Sequence, residues 1–290
     1  MRGPDLIAEF TVGGKMRRLL IEVTVPGYPS SLLQAFQVLQ WACKSQRGYP
    51  VVVTDALSER GVRLAKEAGV GVLDLAGNCW LNLGELYIEK TAHAHVSRPP
   101  GELRRLFSPK ATRVIRTLLE EHRKAWEIVK LAAASAVSVG HAYKVAQKLL
   151  QQGFLTQERK QVRLREPGAL LDTWAQQYRI DPAAVQSFYT GVKDPAAATA
   201  HVANVAKERH LACAFTLHAG DSLVAPFTRL TDVHVYLTDP LSDDLLHALQ
   251  LERIEFGGTV HVIQPYDEGV FQHLQRLNEI PVVCKTQLYL

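Results

Sequence analysis

Apolar and polar positions change rhythm along the chain, and each rhythm predicts a different architecture. In residues 1–97, short apolar runs alternate with amphipathic stretches. Ile7 to Val12 and Met16 to Val25 are apolar-rich and are joined by Gly13-Gly14-Lys15, a glycine pair that suits a tight hairpin. Leu32, Leu33, Phe36, Leu39, Gln40 and Cys43 set a helical rhythm from Ser31 to about Lys44. Val51-Val52-Val53-Thr54 is a continuous β-branched run, which predicts a buried strand. A helix from Ser58 to Ala68, a strand from Val70 to Leu73, and a closing pair (Cys79 to Leu83, Leu86 to Ile88) around Gly84 follow. The order ββαβαβββ makes a small α/β sheet domain.

Between Leu106 and Leu164 the rhythm becomes helical. Ser108-Pro109-Lys110 is a helix start, a capping serine followed by a proline tolerated at the first helical position. Val114, Ile115, Leu118 and Leu119 then form one apolar stripe. A second helix is expected from Ala125 to about Ala134, containing Trp126, Ile128, Val129 and Leu131. Ser138 caps a third, Val139 to Gln152, which turns Ala142, Val145, Ala146, Leu149 and Leu150 inward until Gly153 stops it. Phe154-Leu155-Thr156 and Val162-Arg163-Leu164 flank a polar tip, Gln157 to Gln161, as a small hairpin would. Three helices and a hairpin make a winged helix–turn–helix.

After Arg165-Glu166-Pro167, helices and strands alternate. Helices are expected at Ala169 to Tyr178, from Asp194-Pro195 through Lys207, briefly from Ser222, and from Asp243 to Leu251. Strands are expected at Ala212 to Leu217, Val233 to Leu237 and Val260 to Gln264. The predicted fold class is therefore α/β multidomain. An N-terminal sheet domain (1–97) and a winged helix (98–165) precede a C-terminal α+β domain (166–290). Ser97-Arg98-Pro99-Pro100-Gly101 marks the first boundary, because Pro-Pro-Gly breaks both regular structures.

Charge sharpens this division. The whole chain carries only +4, but residues 1–97 hold 10 Lys/Arg and 9 Asp/Glu, residues 98–165 hold 15 and 5, and residues 166–290 hold 8 and 15. A net +10 on the middle block, between +1 and −7, is a localised footprint for nucleic acid, where an ordinary solvated surface would mix its signs. The third helix then reads as the one that enters the major groove of double-stranded DNA, with the hairpin on the backbone. Its outward residues are Ser138, His141, Tyr143, Lys144, Gln147 and Lys148, all hydrogen-bond donors and none acidic. Lys110 and Arg113 on the first helix, and Arg159, Lys160 and Arg163 on the hairpin, complete the candidate DNA-binding set. Two half-sites read by a homodimer would suit such a module, though no heptad identifies an interface.

Other chemistry is weaker. Asp5 ahead of Glu22-Val23-Thr24 resembles the PD-(D/E)xK nucleases (restriction-endonuclease-like), in which two carboxylates hold a metal and a lysine positions water. Thr24 stands at the lysine position and lacks the ammonium charge, which implies an inactive scaffold. Gly220-Asp221-Ser222 followed by Asp232-Val233-His234 resembles the layout of nucleotidyltransferases. Asp221 replaces the phosphate-binding serine and His234 the second carboxylate, which implies that fold without the activity. His93 and His95 stand at HxH spacing without a further ligand nearby, so no metal site or cofactor is expected. Cys43, Cys79, Cys213 and Cys284 are far apart, as reduced thiols in a cytoplasmic protein would be. No membrane span and no signal-peptide core is expected.

Several strings together resemble the AbiEi-type antitoxins of type IV toxin–antitoxin (abortive infection) systems. They are Asp74-Leu75-Ala76-Gly77-Asn78, Leu106-Phe107-Ser108-Pro109-Lys110-Ala111, Val137-Ser138-Val139-Gly140, Leu170-Leu171-Asp172-Thr173-Trp174-Ala175 after Arg165-Glu166-Pro167, and Pro265-Tyr266-Asp267-Glu268-Gly269-Val270-Phe271. The resemblance implies a transcriptional regulator that represses its own promoter through the winged helix, opposes a nucleotidyltransferase-like toxin, and is not itself an enzyme. Two other readings stay open: a metal-dependent nuclease using Asp5 and Glu22, and a non-catalytic interaction scaffold whose acidic C-terminal domain binds a basic partner.

Overall fold

Gly13 and Gly14 both take positive φ, 58° and 74°, the backbone that a two-residue hairpin turn needs. They join β1 (Leu6–Val12) to β2 (Lys15–Thr24) in a computed structural model that describes residues 3–92, 106–225, 230–254 and 257–290. The His93/His95 pair and the Pro-Pro-Gly linker lie outside the described residues. The chain is mixed α/β and divides into two compact units, residues 1–106 with 146–157, and residues 107–145 with 158–290.

In the first unit the hairpin is followed by α1 (Pro29–Ser45), β3 (Tyr49–Thr54), α2 (Glu59–Ala68), β4 (Gly71–Asp74), β5 (Cys79–Asn82) and β6 (Tyr87–Lys90), the order expected from the spacing. The six strands lie in sequence order, with β2, β3 and β4 parallel. Both crossover helices pack on one face: Leu32, Phe36 and Leu39 of α1 and Leu64 and Ala65 of α2 share a core with Leu20, Val52, Val72 and Trp80 of the sheet. Ser58 caps α2 by accepting from Gly61 N–H, and Gly69 ends it at φ 67°. Residues 146–157 join this unit through Arg60, whose Nε donates to Gln152 O at 2.9 Å while its guanidinium lies 4.0 Å from the Phe154 ring centroid.

The basic stretch forms α3 (Pro109–Glu120), β7 (Ala125–Glu127), α4 (Ile128–Ala134), α5 (Val139–Gln151) and a hairpin of β8 (Leu155–Glu158) and β9 (Gln161–Leu164). Helix α3 buries the expected Val114, Ile115, Leu118 and Leu119. One expectation is corrected: Ala125 to Glu127 open no helix but pair as a strand with Arg163 to Gln161. The reason is alternation, since Trp126 is buried while its neighbours on either side are only half so.

Beyond it lie α6 (Pro167–Gln177), β10 (Val185–Thr190), α7 (Pro195–Glu208), β11 (Cys213–Thr216), α8 (Leu217–Val224), β12 (Val233–Leu237), α9 (Asp243–Ala248), β13 (Leu251–Arg253), β14 (Val260–Ile263), β15 (Gln275–Leu277), β16 (Ile280–Val282) and α10 (Lys285–Tyr289). The strands form one mixed sheet ordered β13-β10-β14-β12-β11-β16-β15. Phe215, Val233, Val235, Val260 and Val262 of the sheet and Val202 and Ala206 of α7 lie in its core. The helix expected from Asp243 to Leu251 stops at Ala248, and Leu251 instead opens β13.

Candidate nucleic-acid interface

Helix α5 keeps one face for the interior and one for solvent. Ala142, Val145, Ala146 and Leu149 are each 4% exposed or less. That orientation turns Tyr143, Lys144 and Lys148 outward, with Gln147 at the half-buried margin. Neither lysine has a carboxylate partner among the described residues. Ser138 caps the helix, its Oγ accepting from His141 N–H at 3.3 Å. His141 is half-buried, and its Nε2 meets no partner among the described residues. On the hairpin, Arg159 sits at the tip with φ 55°, Lys160 is exposed, and Arg163 donates from Nη1 to Arg123 O at 3.4 Å.

Lys110, Arg113, Ser138 and His141 line one cleft of about 930 Å³ whose lining also includes Asp267 and Glu268. Within it, Lys110 is exposed and Arg113 is not free for DNA. The Arg113 guanidinium donates from Nε to Asp267 Oδ1 at 2.6 Å and from Nη2 to Oδ2 at 2.9 Å, with its side chain only 14% exposed. Arg113 therefore leaves the set of candidate DNA contacts: its charge is already answered by a carboxylate 154 residues away. The hydrogen bonds that Arg113 donates to Asp267 hold its pKa above the ordinary value.

Neither spacing nor charge in the sequence marks Asp267 as a site residue, yet it organises this region. It also accepts from Gly269 N–H at 2.7 Å and so caps the short turn Glu268–Phe271. Burial pushes its carboxyl pKa up, but the bonds from Arg113 and Gly269 and the charges of Arg113 and Arg116 outweigh burial, leaving it below the usual carboxylate range. A depressed folded pKa contributes stability that is present above the unfolded value, near about 4, and is lost as pH falls through the folded one. Replacing Asp267 by asparagine should therefore flatten the fall in stability of this unit below about pH 4. Denaturant titrations of both proteins across that range check this, and parallel curves would refute it.

The remaining sequence candidates are placed as follows. Asp5 Oδ2 accepts from Val23 N–H at 2.9 Å, Glu22 is buried, and Thr24 lies opposite Thr54 in the parallel ladder. Gly220-Asp221-Ser222 forms no open turn but lies inside α8. A Cβ at Gly220 would meet Leu288 Cδ2 at 2.6 Å, so this glycine serves close packing and not the approach of a phosphate. His234, opposite His261 in the ladder, stacks on it at 4.6 Å. Burial first, then His261 and His218, lower its pKa to about 4, so it is neutral near pH 7. All four cysteines are free thiols, and burial pushes Cys213 and Cys284 up to about 12. Among the described residues no group of three His, Cys, Asp or Glu side chains is placed to hold a metal, and no helix is long and apolar enough to cross a membrane. Comparison with family models, curated proteins and solved structures finds no match to this chain.

Proposed function

We propose that the chain is a transcriptional regulator that binds double-stranded DNA, with α3, α4, α5 and the β8–β9 hairpin acting as a winged helix–turn–helix. The observation that carries this reading is the outer face of α5, where Tyr143, Lys144 and Lys148 stand exposed with both ammonium groups unmatched by acids among the described residues. Such a face suits base edges and phosphates, and Lys110, Ser138, His141, Gln147, Arg159, Lys160 and Arg163 extend it. The first sheet is then a restriction-endonuclease-like scaffold, a reading supported by Thr24 where a lysine would be needed. The second is a nucleotidyltransferase-like fold put to other use, and the close packing of Gly220 against Leu288 supports the other use alone, since it leaves no approach for a phosphate. The motif resemblance extends the proposal to a cytoplasmic AbiEi-like antitoxin that represses its own promoter, as a dimer on DNA, and opposes a partner toxin.

The test begins with selection of a preferred duplex from a random library by the intact protein, followed by affinity measurements across salt concentrations. Affinity should fall steeply with salt, by a logarithmic slope of about −0.9 per neutralised phosphate. Exchanging Lys144 and Lys148 together for alanine should weaken binding by roughly ten- to a hundredfold, and make the slope shallower by about 2. An unchanged affinity in a folded double variant overturns the assignment.

A further inference from the structure

The turn that aims α5 is held from outside the three-helix module. Between α4 and α5 the chain passes Ser135, Ala136, Val137 and Ser138, and Ala136 takes φ 50°, a left-handed backbone that a residue with a Cβ keeps only when its surroundings impose it. The carbonyls of the two residues at this bend are both held by side chains. Gln272 Nε2 donates to Ser135 O at 2.9 Å, and Arg113 Nη1 donates to Ala136 O at 3.5 Å. Arg113 is in turn fixed through two nitrogens by Asp267, and Asp267 and Gln272 bracket the same short turn, Glu268–Phe271. Residues 113, 135–138 and 267–272 all belong to the second compact unit.

We propose that Asp267 and Gln272 are positioning residues for DNA recognition, acting through Arg113 and the Ser135–Ala136 carbonyls to fix the angle at which α5 presents Tyr143 and Lys144. This rests on the DNA-binding reading above and adds to it how the C-terminal sheet region governs that site. Base readout depends on a fixed pose, whereas attraction to phosphates tolerates a loosely held helix. Loss of the clamp therefore removes discrimination before it removes non-specific affinity. Phosphate contacts alone would not produce that separation.

The experiment uses the full chain with Asp267→Asn and, separately, Gln272→Ala, which leaves the Arg113 ion pair in place and disturbs folding least. Each is measured against the selected duplex and a scrambled duplex of equal length, at a temperature where thermal unfolding shows it fully folded. Affinity for the selected duplex should drop about tenfold for Asp267→Asn and about threefold for Gln272→Ala, with scrambled-duplex affinity kept within about twofold. In the free proteins, the backbone amide resonances of Ser135 to Gly140 should move while those of β12 and β14 stay. Retained discrimination in a folded variant overturns the inference, and so does an equal loss on both duplexes, which marks general damage. If the unaltered chain discriminates no duplex, the DNA reading falls and takes this one with it. Unmoved Ser135–Gly140 amides remove the positioning role alone.

Discussion

Arg116→Ala should cost the second unit about 3–5 kcal/mol, the largest loss expected from any single substitution on α3. Arg116 is fully buried, and among the described residues no carboxylate shares its hydrogen bonds. Nη2 donates to Tyr266 OH at 3.0 Å and to Gln287 Oε1 at 2.6 Å, and the guanidinium lies 5.3 Å from the Trp174 ring centroid. Gln287 passes the connection on by donating to Tyr178 OH, which is 3.0 Å from Tyr236 OH. Truncation would leave Gln287 Oε1 without its donor and open a void against Trp174. Nε and Nη1 have no partner among the described residues, so the native arginine already carries unmet donors. Arg116→Met, which fills most of the volume and brings no donors, should therefore lose much less, under about 2 kcal/mol. Denaturant unfolding of both variants checks this, and a loss below about 1 kcal/mol for alanine would show that the network is dispensable.

Gly27→Ala should destabilise the first unit by about 2–4 kcal/mol. A Cβ at this position would meet Thr54 Oγ1 and, at 2.5 Å, the carbonyl oxygen of Ala56. Thr54 is 1% exposed and β-branched, and Ala56 offers backbone, so neither can step aside as a long side chain would. Relief requires the loop to lift from the end of β3, which breaks the 2.7 Å bond from Gly27 N–H to Asp55 Oδ1. Thermal unfolding gives the measurement, and a variant that melts with the parent would show that the loop has room to spare.

How much of this was legible in the sequence depended on the range over which each feature is determined. The ββαβαβββ order and the buried stripe of α3 follow from local rhythm, and they emerged intact. Strand β10 was missed because Gln186 and Ser187 interrupt its pattern, and of its six residues only Phe188 and Thr190 are buried. Strands β13, β15 and β16 have three residues each, too few for any periodicity to register. Among the site residues, the outward face of α5 could be read from helical spacing. Arg113 could not, because its partner is supplied by tertiary folding, and a cation counted from sequence carries no sign of whether a distant acid has claimed it. The same limit hid Asp267 and Gln272, whose importance lies wholly in what they touch.

The first sheet begins at β1, beyond which no further strand lies among the described residues. Leu6, Ile7 and Val12 are exposed along it, so greasy side chains and unused ladder positions lie side by side. Glu9 is the only charged residue in its seven, and it is occupied with Arg18 of the neighbouring strand at 2.6 Å. Lysine and proline, the residues that commonly guard such an edge, are both missing from β1, so its own sequence offers little to repel another extended segment.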